Sequence, residues 1–366
     1  MRKLLFVPSG VGLGHATRTH AIINKIKKHA EYKIASYGSA LKYFERQGFS
    51  PVGLRGFDYH GEYSFELLKT LVKEADLFFK LAGDYLRISK LQKDYPFDTI
   101  VSDSDPIGLI SANFLKTRSV LIENLQGAIR EAKFVPKRFQ EGLGYQLAFL
   151  EQIDHYVVQY VDDVIVPSFD KTPFKMSKKH NVGLVINPTF DEQALRSSAK
   201  QDYICVPIPG STLTYDIVNQ LLHVFKRFPK ENFFLLNFPT KTIKRVGNVY
   251  LFPLLGEDEV LSYLHGAKAV ISFAGFSTLT NIAYLKKPSL ILPLPNHIEQ
   301  VANATFFRRN KLAEVVYPRK GYDKDLVEKA LTRVLKEAKT YSENIEAMRF
   351  DFNGAQRAAQ LLLKEQ

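Results

Sequence analysis

The sequence predicts an α/β protein with two Rossmann-like domains that face a cleft. Short apolar runs alternate with segments of helical periodicity along most of the chain, which is the pattern of parallel sheets covered by helices. A glycine-containing turn follows the first apolar run of each half, at Gly10 and again at Gly210. The 366 residues also exceed the length at which a single hydrophobic core usually stops growing, so we expect two domains.

Composition and charge restrict the class of protein. The chain has 45% hydrophobic and 24% charged residues, which is typical of soluble globular proteins. A net charge of +12 predicts attraction to an anion, such as a nucleotide diphosphate, an acidic lipid surface or nucleic acid. The Lys and Arg residues are spread along the chain without a recognised motif, which disfavours nucleic acid. The single cysteine, Cys205, is consistent with a reducing compartment, and we expect a cytoplasmic protein.

The N-terminal segment predicts a buried strand at Lys3–Pro8, and this apolar run is too short for a signal peptide. Glycines at Gly10, Gly12 and Gly14 then allow a tight turn and the close approach of a ligand, before a helix from about His15 to His29. The spacing is G-x-G-x-G, and no acidic residue ends the second predicted strand. Both features disfavour a dinucleotide-dependent dehydrogenase.

The rest of the first domain continues the alternation of strands and helices. Strands are predicted at Tyr32–Ser36, Phe97–Ser102, Val120–Glu123, Tyr156–Val158 and Val164–Pro167, and helices at Ala40–Gln47 and Ser64–Tyr95. The long helix is basic and aromatic, so it can belong to the core or lie on an anionic membrane surface. The segment Ala128–Glu151 mixes basic and aromatic residues in the same way and offers a second docking place for an acceptor or a membrane.

Two aspartates follow the strand at Phe97–Ser102. Asp103 and Asp105 form an Asp-x-Asp pattern, which can bind a hard divalent cation. Asp105 precedes Pro106 and can equally be the N-cap of the next helix. Asp103 would then be free to orient a histidine of the first glycine loop, as carboxylates do in other histidine-dependent catalysts.

The second domain repeats the order of strand, turn and helix. The predicted strands are Tyr203–Pro207, Phe233–Asn237, Val249–Phe252, Ala269–Phe273 and Ser289–Leu294, and the predicted helices are Tyr215–Phe228, Glu257–His265, Asp323–Ala338 and Ala355–Lys364. The turn Pro209–Thr212 leads into the first of these helices. The polar stretch Asp191–Gln201 is the best linker between the domains.

The most informative stretch is Ala269–Ala304. Gly275 breaks the strand, and Ser277 and Thr278 occupy the positions where an N-cap is expected. The unpaired N–H groups and the dipole at such a helix start suit a phosphate. Polar residues that could bind sugar hydroxyls follow in a predicted loop, namely His297, Glu299, Gln300 and Asn303. An ordinary βαβ unit with a polar loop would show the same features.

This stretch resembles the donor-nucleotide half of GT-B glycosyltransferases, and within that fold it is most similar to the MurG-like group. That group includes the lipid-linked peptidoglycan N-acetylglucosaminyltransferase. The resemblance implies that Gly275, Ser277 and Thr278 hold the donor diphosphate and that Glu299 and Gln300 hold the sugar. The family's ribose-binding Glu is replaced by an amide, which weakens charge-assisted pairing. That position is Asn281.

The loop Gly-Leu-Gly-His resembles the N-terminal glycine loop of the same group. The resemblance implies that His15 is the general base, that Asp103 orients it and that Arg18 meets a phosphate or an acceptor anion; a solvated surface charge is the alternative for Arg18. Further residues are implied at the donor side: Gly12, Gly14, Gly210, Ser211, Thr212 and Phe252. The family presents backbone groups to the base after Phe252, where this chain has Pro253, which lacks an N–H.

The resemblance divides the chain into an acceptor-side domain at 1–188, a linker at 189–201, a nucleotide-sugar domain at 202–345 and a C-terminal helix at 346–366 that packs back on the first domain. Leu184–Pro188 resembles the family's inter-domain strand. The implied activity is inverting transfer from a nucleotide-diphosphate sugar, with UDP-GlcNAc as a candidate, to a hydroxyl acceptor that can be lipid-linked. No cofactor or essential metal is expected. Peripheral contact with the inner face of an anionic membrane fits this picture.

Two other functions fit the same residues. A GT-B nucleotide-sugar epimerase would share the fold and the donor site but would need further acid and base residues. A non-catalytic protein could use the basic first domain to bind a membrane or a nucleotide.

Overall fold

Parallel strands organise both halves of the molecule. The computed structural model describes residues 1–56, 77–140, 143–188, 190, 201–208, 212–318 and 321–364. Within these residues the strands form two sheets of seven strands each, with helices packed on them. The predicted α/β class with two Rossmann-like halves is therefore confirmed.

The first sheet is parallel throughout. Its strands are β1 (Arg2–Pro8), β2 (Ala30–Ser36), β3 (Val52–Gly53), β4 (Thr99–Asp103), β5 (Arg118–Ile122), β6 (Asp163–Pro167) and β7 (Lys179–Gly183), in the spatial order β3-β2-β1-β4-β5-β6-β7. Pro8 pairs with Asp103, and Asp103 pairs with Ile122. The carboxyl ends of β1, β4 and β5 therefore lie side by side, at the edge of the sheet where such folds bind ligands.

Helices cover both faces of this sheet. They are α1 (Gly14–Ile26), α2 (Gly38–Arg46), α3 (Leu77–Asp94), α4 (Pro106–Leu115), α5 (Leu125–Ala132) and α6 (Gly144–Gln159), with a short 3-10 turn at Lys137–Phe139. The central strands are buried on both faces, so they are continuous apolar runs rather than alternating ones. Leu4, Leu5, Phe6 and Val7 of β1 are completely buried. Each such side chain contributes about 1.5–3 kcal/mol through burial.

The second sheet has one antiparallel edge. Its strands are β8 (Ile204–Pro207), β9 (Phe233–Leu236), β10 (Lys244–Val246), β11 (Val249–Leu251), β12 (Ala269–Ser272), β13 (Ser289–Ile291) and β14 (Glu314–Val315), in the order β10-β11-β9-β8-β12-β13-β14. Only the pairing of β10 with β11 is antiparallel among the described strands. The helices are α7 (Thr212–Phe225), α8 (Glu257–Gly266), α9 (Phe276–Tyr284), α10 (Ile298–Arg309), α11 (Lys324–Lys336), α12 (Ala338–Ala347) and α13 (Gly354–Leu363).

The C-terminal helix α13 packs on the first domain. Ala358, Ala359 and Leu362 share a buried cluster with Ile22 and Ile23 of α1. The crossing segment is fixed by backbone hydrogen bonds from Leu184 N to Asp351 O (2.7 Å) and from Gly354 N to Leu184 O (3.0 Å). A Cβ at Gly354 would lie 2.6 Å from the Leu184 carbonyl oxygen, so the chains can pass this closely only at a glycine.

A second junction joins α5 of the first domain to α10 of the second. Ala132 and Val135 pack against Ile298 and Val301 in one buried cluster. At its end, an Arg309 guanidinium N–H donates to both Glu131 carboxylate oxygens, at 2.9 and 3.2 Å. The two domains therefore meet along α10, the helix that contains Glu299 and Gln300.

Several predicted elements differ from the structure. Tyr156–Val158 is the end of α6 and not a strand, because these residues continue a helix that begins at Gly144. Leu184–Pro188 is irregular, since β7 already ends at Gly183. The predicted long helix is seen as Leu77–Asp94, and its earlier part lies outside the described residues. The same holds for most of the predicted linker at 191–201.

Candidate functional site

The glycine turns of the two domains face each other. In the first turn, Gly12 has a φ of +73°, which a glycine adopts without strain. A Cβ at Gly10 would lie 2.4 Å from a ring carbon of Tyr37 and 2.5 Å from its carbonyl oxygen. A Cβ at Gly14 would lie 2.7 Å from the Ser277 Oγ of the second domain. The two turns therefore border one shared gap.

His15, Asp103 and Arg18 form one hydrogen-bonded network on the first-domain side. His15 Nδ1 lies 2.8 Å from Asp103 Oδ1. Arg18 Nε donates to Asp103 Oδ2 at 2.9 Å, and its Nη2 donates to Oδ1. The side chain of His15 is 28% exposed, whereas that of Asp103 is 1% exposed. Asp103 and Arg18 are thus buried, and the imidazole of His15 is the member of the network that reaches the gap.

The charge of Asp103 is stabilised although the group is buried. Burial alone would raise the pKa of this carboxyl, but the Arg18 guanidinium and the hydrogen bonds from Arg18 and His15 hold it below its usual value. Thr19 donates a further hydrogen bond from its Oγ1, at 3.2 Å from Asp103 Oδ2. We therefore treat Asp103 as a carboxylate.

This assignment fixes the tautomer of His15. A carboxylate can only accept, so Nδ1 carries the proton and donates it to Asp103. Arg18 Nη2 lies 3.1 Å from the same Nδ1 but is a donor, so its hydrogen bond goes to the Asp103 oxygen instead. In the neutral form of the ring, the remaining nitrogen, Nε2, carries the lone pair. An imidazole that a carboxylate orients in this way is the arrangement used in general base catalysis.

The burial of Arg18 decides against one of the two alternatives predicted for it. Only 8% of the residue is exposed, so it is not a solvated surface charge. Burial works against its charge, but Asp103, Glu299 and Glu123 raise the pKa of the guanidinium above its ordinary value. Its contacts to Asp103 show that it positions the network, and contact with an acceptor anion is a proposal beyond these contacts.

Asp103 and Asp105 do not share a site. Asp105 Oδ1 accepts from the Ile107 N–H at 2.9 Å and caps α4, and Oδ2 accepts from the Tyr37 hydroxyl at 2.8 Å. Burial raises the pKa of Asp105 to about 6. The two carboxylates therefore have separate sets of partners: Asp105 caps a helix, and Asp103 belongs to the network of His15 and Arg18.

The second-domain turn presents backbone groups. Ala274 precedes Gly275 with a φ of +63°, and its carbonyl accepts from Asn303 Nδ2 at 3.2 Å. Gly275 is the N-cap of α9, and no side chain caps this helix start. The prediction of Ser277 or Thr278 as the N-cap was wrong, because the helix begins one residue after the glycine. Both residues lie instead in the first turn of α9, beside the backbone N–H groups that can bind a phosphate.

The predicted polar loop is the start of helix α10. His297 is its N-cap, and its ring accepts from the Gln300 N–H at 3.4 Å. Gln300 is nearly buried, and its Oε1 accepts from the Leu294 N–H at 2.9 Å. Glu299 Oε1 accepts from Asn124 Nδ2 of the first domain at 2.8 Å. Glu299 therefore lies at the gap between the domains, while Gln300 fixes the backbone at Leu294, which follows β13.

Phe252 is the predicted donor residue that fits its assignment least. Its N–H donates to Leu235 O at 2.8 Å, and its carbonyl accepts from Phe238 N at 2.8 Å. The ring is buried against Phe234 and Tyr263. Both backbone groups of Phe252 are therefore committed to hydrogen bonds within the second domain, and its donor-binding role stays a prediction.

The other predicted donor residues are only partly described. Asn281 lies in α9, one turn beyond Ser277, and is partly buried. Gly210 and Ser211 lie outside the described residues, and Thr212 is described as the first residue of α7. Their roles remain predictions.

Three residues of the gap were not assigned from the sequence. Asn124 follows β5 and contacts Glu299, and Tyr37 supports the first glycine turn. Glu123 lies beside Asn124 and accepts from Gln126 Nε2 at 3.0 Å, and burial raises its pKa to about 7. A polar pair directly after a buried strand was the available signal for Glu123 and Asn124. Nothing in the sequence pairs Tyr37 with Gly10.

The chain matches the family model described as "Glycosyl transferase family 1" over residues 2–335. An uncharacterised glycosyltransferase from Methanopyrus kandleri is 25% identical over 309 residues, which cover 82% of this chain and 85% of that protein. A Bacillus cereus protein named UDP-N-acetylglucosamine--N-acetylmuramyl-(pentapeptide) pyrophosphoryl-undecaprenol N-acetylglucosamine transferase is 40% identical, but over 62 residues, 16% of this chain and 18% of its own length.

Solved structures share the architecture over the whole chain. The MurG structure from Acinetobacter baumannii covers 100% of both chains, with a TM-score of 0.63 and 15% identity. The spinosyn rhamnosyltransferase SpnG covers 99% of this chain and 100% of its own, with a TM-score of 0.67 and 14% identity. At such low identity these similarities establish the GT-B fold alone.

Proposed function

The chain belongs to glycosyl transferase family 1, and we propose that it transfers a sugar with inversion from a nucleotide diphosphate to a hydroxyl acceptor. The family match establishes a glycosyltransferase. The choice of donor and acceptor and the stereochemistry are our proposal. The observation that carries it is the His15–Asp103 contact of 2.8 Å, next to the gap where Gly14 meets Ser277.

The proposed reaction is a single displacement. His15 Nε2 accepts the proton of the acceptor hydroxyl as its oxygen forms a bond to the anomeric carbon of the donor sugar. The bond between that carbon and the diphosphate oxygen breaks, and its electron pair leaves with the diphosphate. Asp103 stabilises the imidazolium through the Nδ1 hydrogen bond, as in other triads.

The departing diphosphate needs positive charge at the same gap. The start of α9 supplies backbone N–H groups and the positive end of a helix dipole, with Ser277 and Thr278 in its first turn. We assign the same purpose to Gly12 and Gly14 in the first domain and to the turn Gly210–Thr212. Glu299, near the gap, is the proposed contact for sugar hydroxyls, and Asn281 for the ribose.

UDP-GlcNAc is our candidate donor. Support comes from the Bacillus cereus relative, whose name contains this donor, although its match covers only part of the chain. Thermal unfolding with a panel of nucleotide diphosphates tests the choice, because a specific ligand raises the apparent melting temperature. We expect UDP or a UDP-sugar to give the largest shift. A larger shift with NAD or ADP would contradict the donor assignment.

Release of UDP in the presence of an acceptor tests the reaction itself. We expect release to depend on both the acceptor and His15, and we expect it to persist in a metal chelator because Asp103 and Asp105 have separate protein partners. Formation of a new epimer of the UDP-sugar without any acceptor would instead support the epimerase alternative.

A lipid-linked acceptor is favoured by one surface feature. The first domain exposes four large apolar side chains on α3 and α4: Phe78, Phe79, Leu86 and Phe114, each at least 66% exposed. Such a cluster on a basic protein suits a peripheral contact with an anionic membrane. No helix in the described part of the chain is long and apolar enough to span a bilayer.

Sedimentation with vesicles that contain phosphatidylglycerol tests this contact. We expect Phe79→Ser to reduce the bound fraction several-fold. Leu254→Ser is a matched control, because Leu254 is 74% exposed but lies in the second domain. Equal losses in both variants would argue against a specific membrane face.

A further inference from the structure

A groove of about 250 Å³ lies at the junction of the domains, away from the glycine turns. One wall is the 3-10 turn of the first domain, and the others are the end of α10, strand β14 and helix α11 of the second domain. Its charged lining consists of Arg138, Arg308, Lys329, Arg333 and Glu314. Four cations against one carboxylate favour an anion as the occupant.

Two of the arginines are held in place by aromatic rings. The Arg138 guanidinium lies 4.8 Å from the centre of the Phe139 ring, and that of Arg308 lies 5.6 Å from the Tyr317 ring. Phe139 and Tyr317 stack on each other at 4.7 Å, with 27° between their planes. Arg138, Phe139, Tyr317 and Arg308 thus form one row of contacts across the domain junction. A guanidinium that lies over an aromatic ring has five N–H groups in all, so it can also donate to a ligand.

The cations of the groove differ in their pairing. Arg333 Nη1 lies 3.3 Å from both oxygens of Glu314, so that pair is largely neutral. Within the described residues, no carboxylate lies within ion-pair distance of Arg138, Arg308 or Lys329. Tyr317 is anchored through its hydroxyl, 2.9 Å from Thr305 Oγ1. The groove therefore combines an aromatic floor with three cations that form no direct ion pair within the described residues, although the charge of Lys329 also acts on Asp325.

We propose that this groove binds a small soluble anion that carries two or more phosphate groups and bridges Arg138 of the first domain to Arg308 of the second. Guanidinium groups match phosphate oxygens in a bidentate geometry, and Lys329 adds a point charge. Three cations from two domains suit a multiply charged anion better than a single carboxylate.

Occupancy of the groove is coupled to the donor site through α10. This helix carries Glu299 in its first turn and Arg308 near its end, roughly 14 Å apart at 1.5 Å per residue. An anion that joins Arg308 to Arg138 fixes α10 against the first domain. The coupling, which depends on the proposed function, predicts that donor and groove ligand each bind more tightly in the presence of the other.

Calorimetric titration of the full chain with inorganic tripolyphosphate tests the site. We expect Arg308→Gln and Arg138→Gln each to weaken groove binding at least tenfold. Arg245→Gln is the matched control, because it also removes an arginine stacked on an aromatic ring, 5.1 Å from the centre of Tyr250, and lies on strand β10 outside the groove. We expect its affinity to stay within twofold of the unmodified chain. Equal losses in all three variants would overturn the proposal.

The same titration on Ser277→Asp separates the groove from the donor turn, which also suits phosphate. A carboxylate at the start of α9 repels a diphosphate there, while the groove is unchanged. We expect tripolyphosphate to bind Ser277→Asp with an affinity that still depends on Arg308. Loss of all binding in Ser277→Asp would overturn the groove without affecting the proposed donor site.

A vesicle experiment tests the assignment to a soluble ligand. We expect Arg308→Gln to sediment with phosphatidylglycerol vesicles as the unmodified chain does, because the groove is recessed between the domains. Sedimentation that is lost with Arg308→Gln would overturn the soluble-anion proposal in favour of a lipid headgroup.

Discussion

The two glycine turns at the gap are built in different ways. The first-domain turn is surrounded by side chains: Tyr37 packs against Gly10, and His15 begins a network with Asp103 and Arg18. In the second-domain turn, the helix that starts after Gly275 has no side-chain cap. The turn is fixed by a hydrogen bond from Asn303 to the carbonyl of Ala274. Proton transfer needs a titratable side chain in a fixed orientation, whereas phosphate binding needs only backbone N–H groups.

The largest expected effect is the loss of activity in His15→Ala. We expect kcat to fall by about 10²–10⁴-fold, because the general base is lost, while the affinity for the donor changes less than twofold. Steady-state rates together with calorimetric titration of UDP measure the two effects separately. His29→Ala, at an exposed position just beyond the same helix, is the control and should behave like the unmodified chain. An active His15→Ala variant would remove the base assignment.

Asp103→Asn tests the buried charge behind the histidine. The substitution leaves Arg18 buried without its anion, and we expect the free energy of unfolding to fall by about 3 kcal/mol. Because the folded pKa of Asp103 is lowered, its contribution is present at neutral pH and is lost as pH falls through that pKa. Urea unfolding at pH 7 and at pH 3, on either side of the 3.8 of the free side chain, checks both statements, and the variant should lose less stability between the two than the unmodified chain. Equal pH dependence in both proteins would contradict the charged network.

The glycines themselves provide a matched pair. Gly10→Ala places a methyl group 2.4 Å from the Tyr37 ring and 2.5 Å from a carbonyl oxygen, so we expect a loss of about 1–3 kcal/mol. Gly275 has a φ of −62°, and an added Cβ would have its nearest neighbour at 3.9 Å, so Gly275→Ala should cost only the N-cap preference for glycine, less than about 1 kcal/mol. Chemical denaturation of both variants gives the comparison. Similar losses would mean that the second turn is as crowded as the first.

A smaller effect than that of Gly10→Ala is expected at Glu123. Burial raises its pKa to about 7, above the 4.5 of the free side chain, so the folded state loses stability as pH rises from about 4.5 to 7. Glu123→Gln keeps an oxygen for Gln126 Nε2 and removes the charge. Because solvent reaches part of this residue, we expect only about 1 kcal/mol of added stability at pH 7.5 and little change at pH 4.5. Urea midpoints at the two pH values measure the difference, and a larger gain at low pH would refute the assignment.

Sequence patterns predicted the fold because it depends on local features. Buried parallel strands are continuous apolar runs, and the turns carry glycine, so order and approximate bounds followed from periodicity. The cap of α4 was also foreseen, since Asp105 directly precedes Pro106. Both domains could therefore be outlined before the structure was known.

The remaining errors have tertiary causes. The burial of Arg18 depends on Asp103, which lies 85 positions further along the chain, and a pattern of one helix turn cannot distinguish a buried ion pair from a surface charge. The contact of Asn124 with Glu299 joins residues 175 positions apart. The polar segment after Pro295 reads as a loop because its buried polar residues, Gln300 and Asn303, satisfy neighbouring backbone groups, which only packing reveals.

The crossing of α13 onto the first domain has a consequence for biosynthesis. The core beneath α1 includes Ala358 and Leu362, so the first domain is completed by a helix that follows the second domain in the sequence. We therefore expect the second domain to complete its core earlier on the ribosome, while the first domain waits until α13 has been synthesised. A stop codon before Gly354 should leave an N-terminal half that is prone to aggregate, even though every residue of its sheet is present.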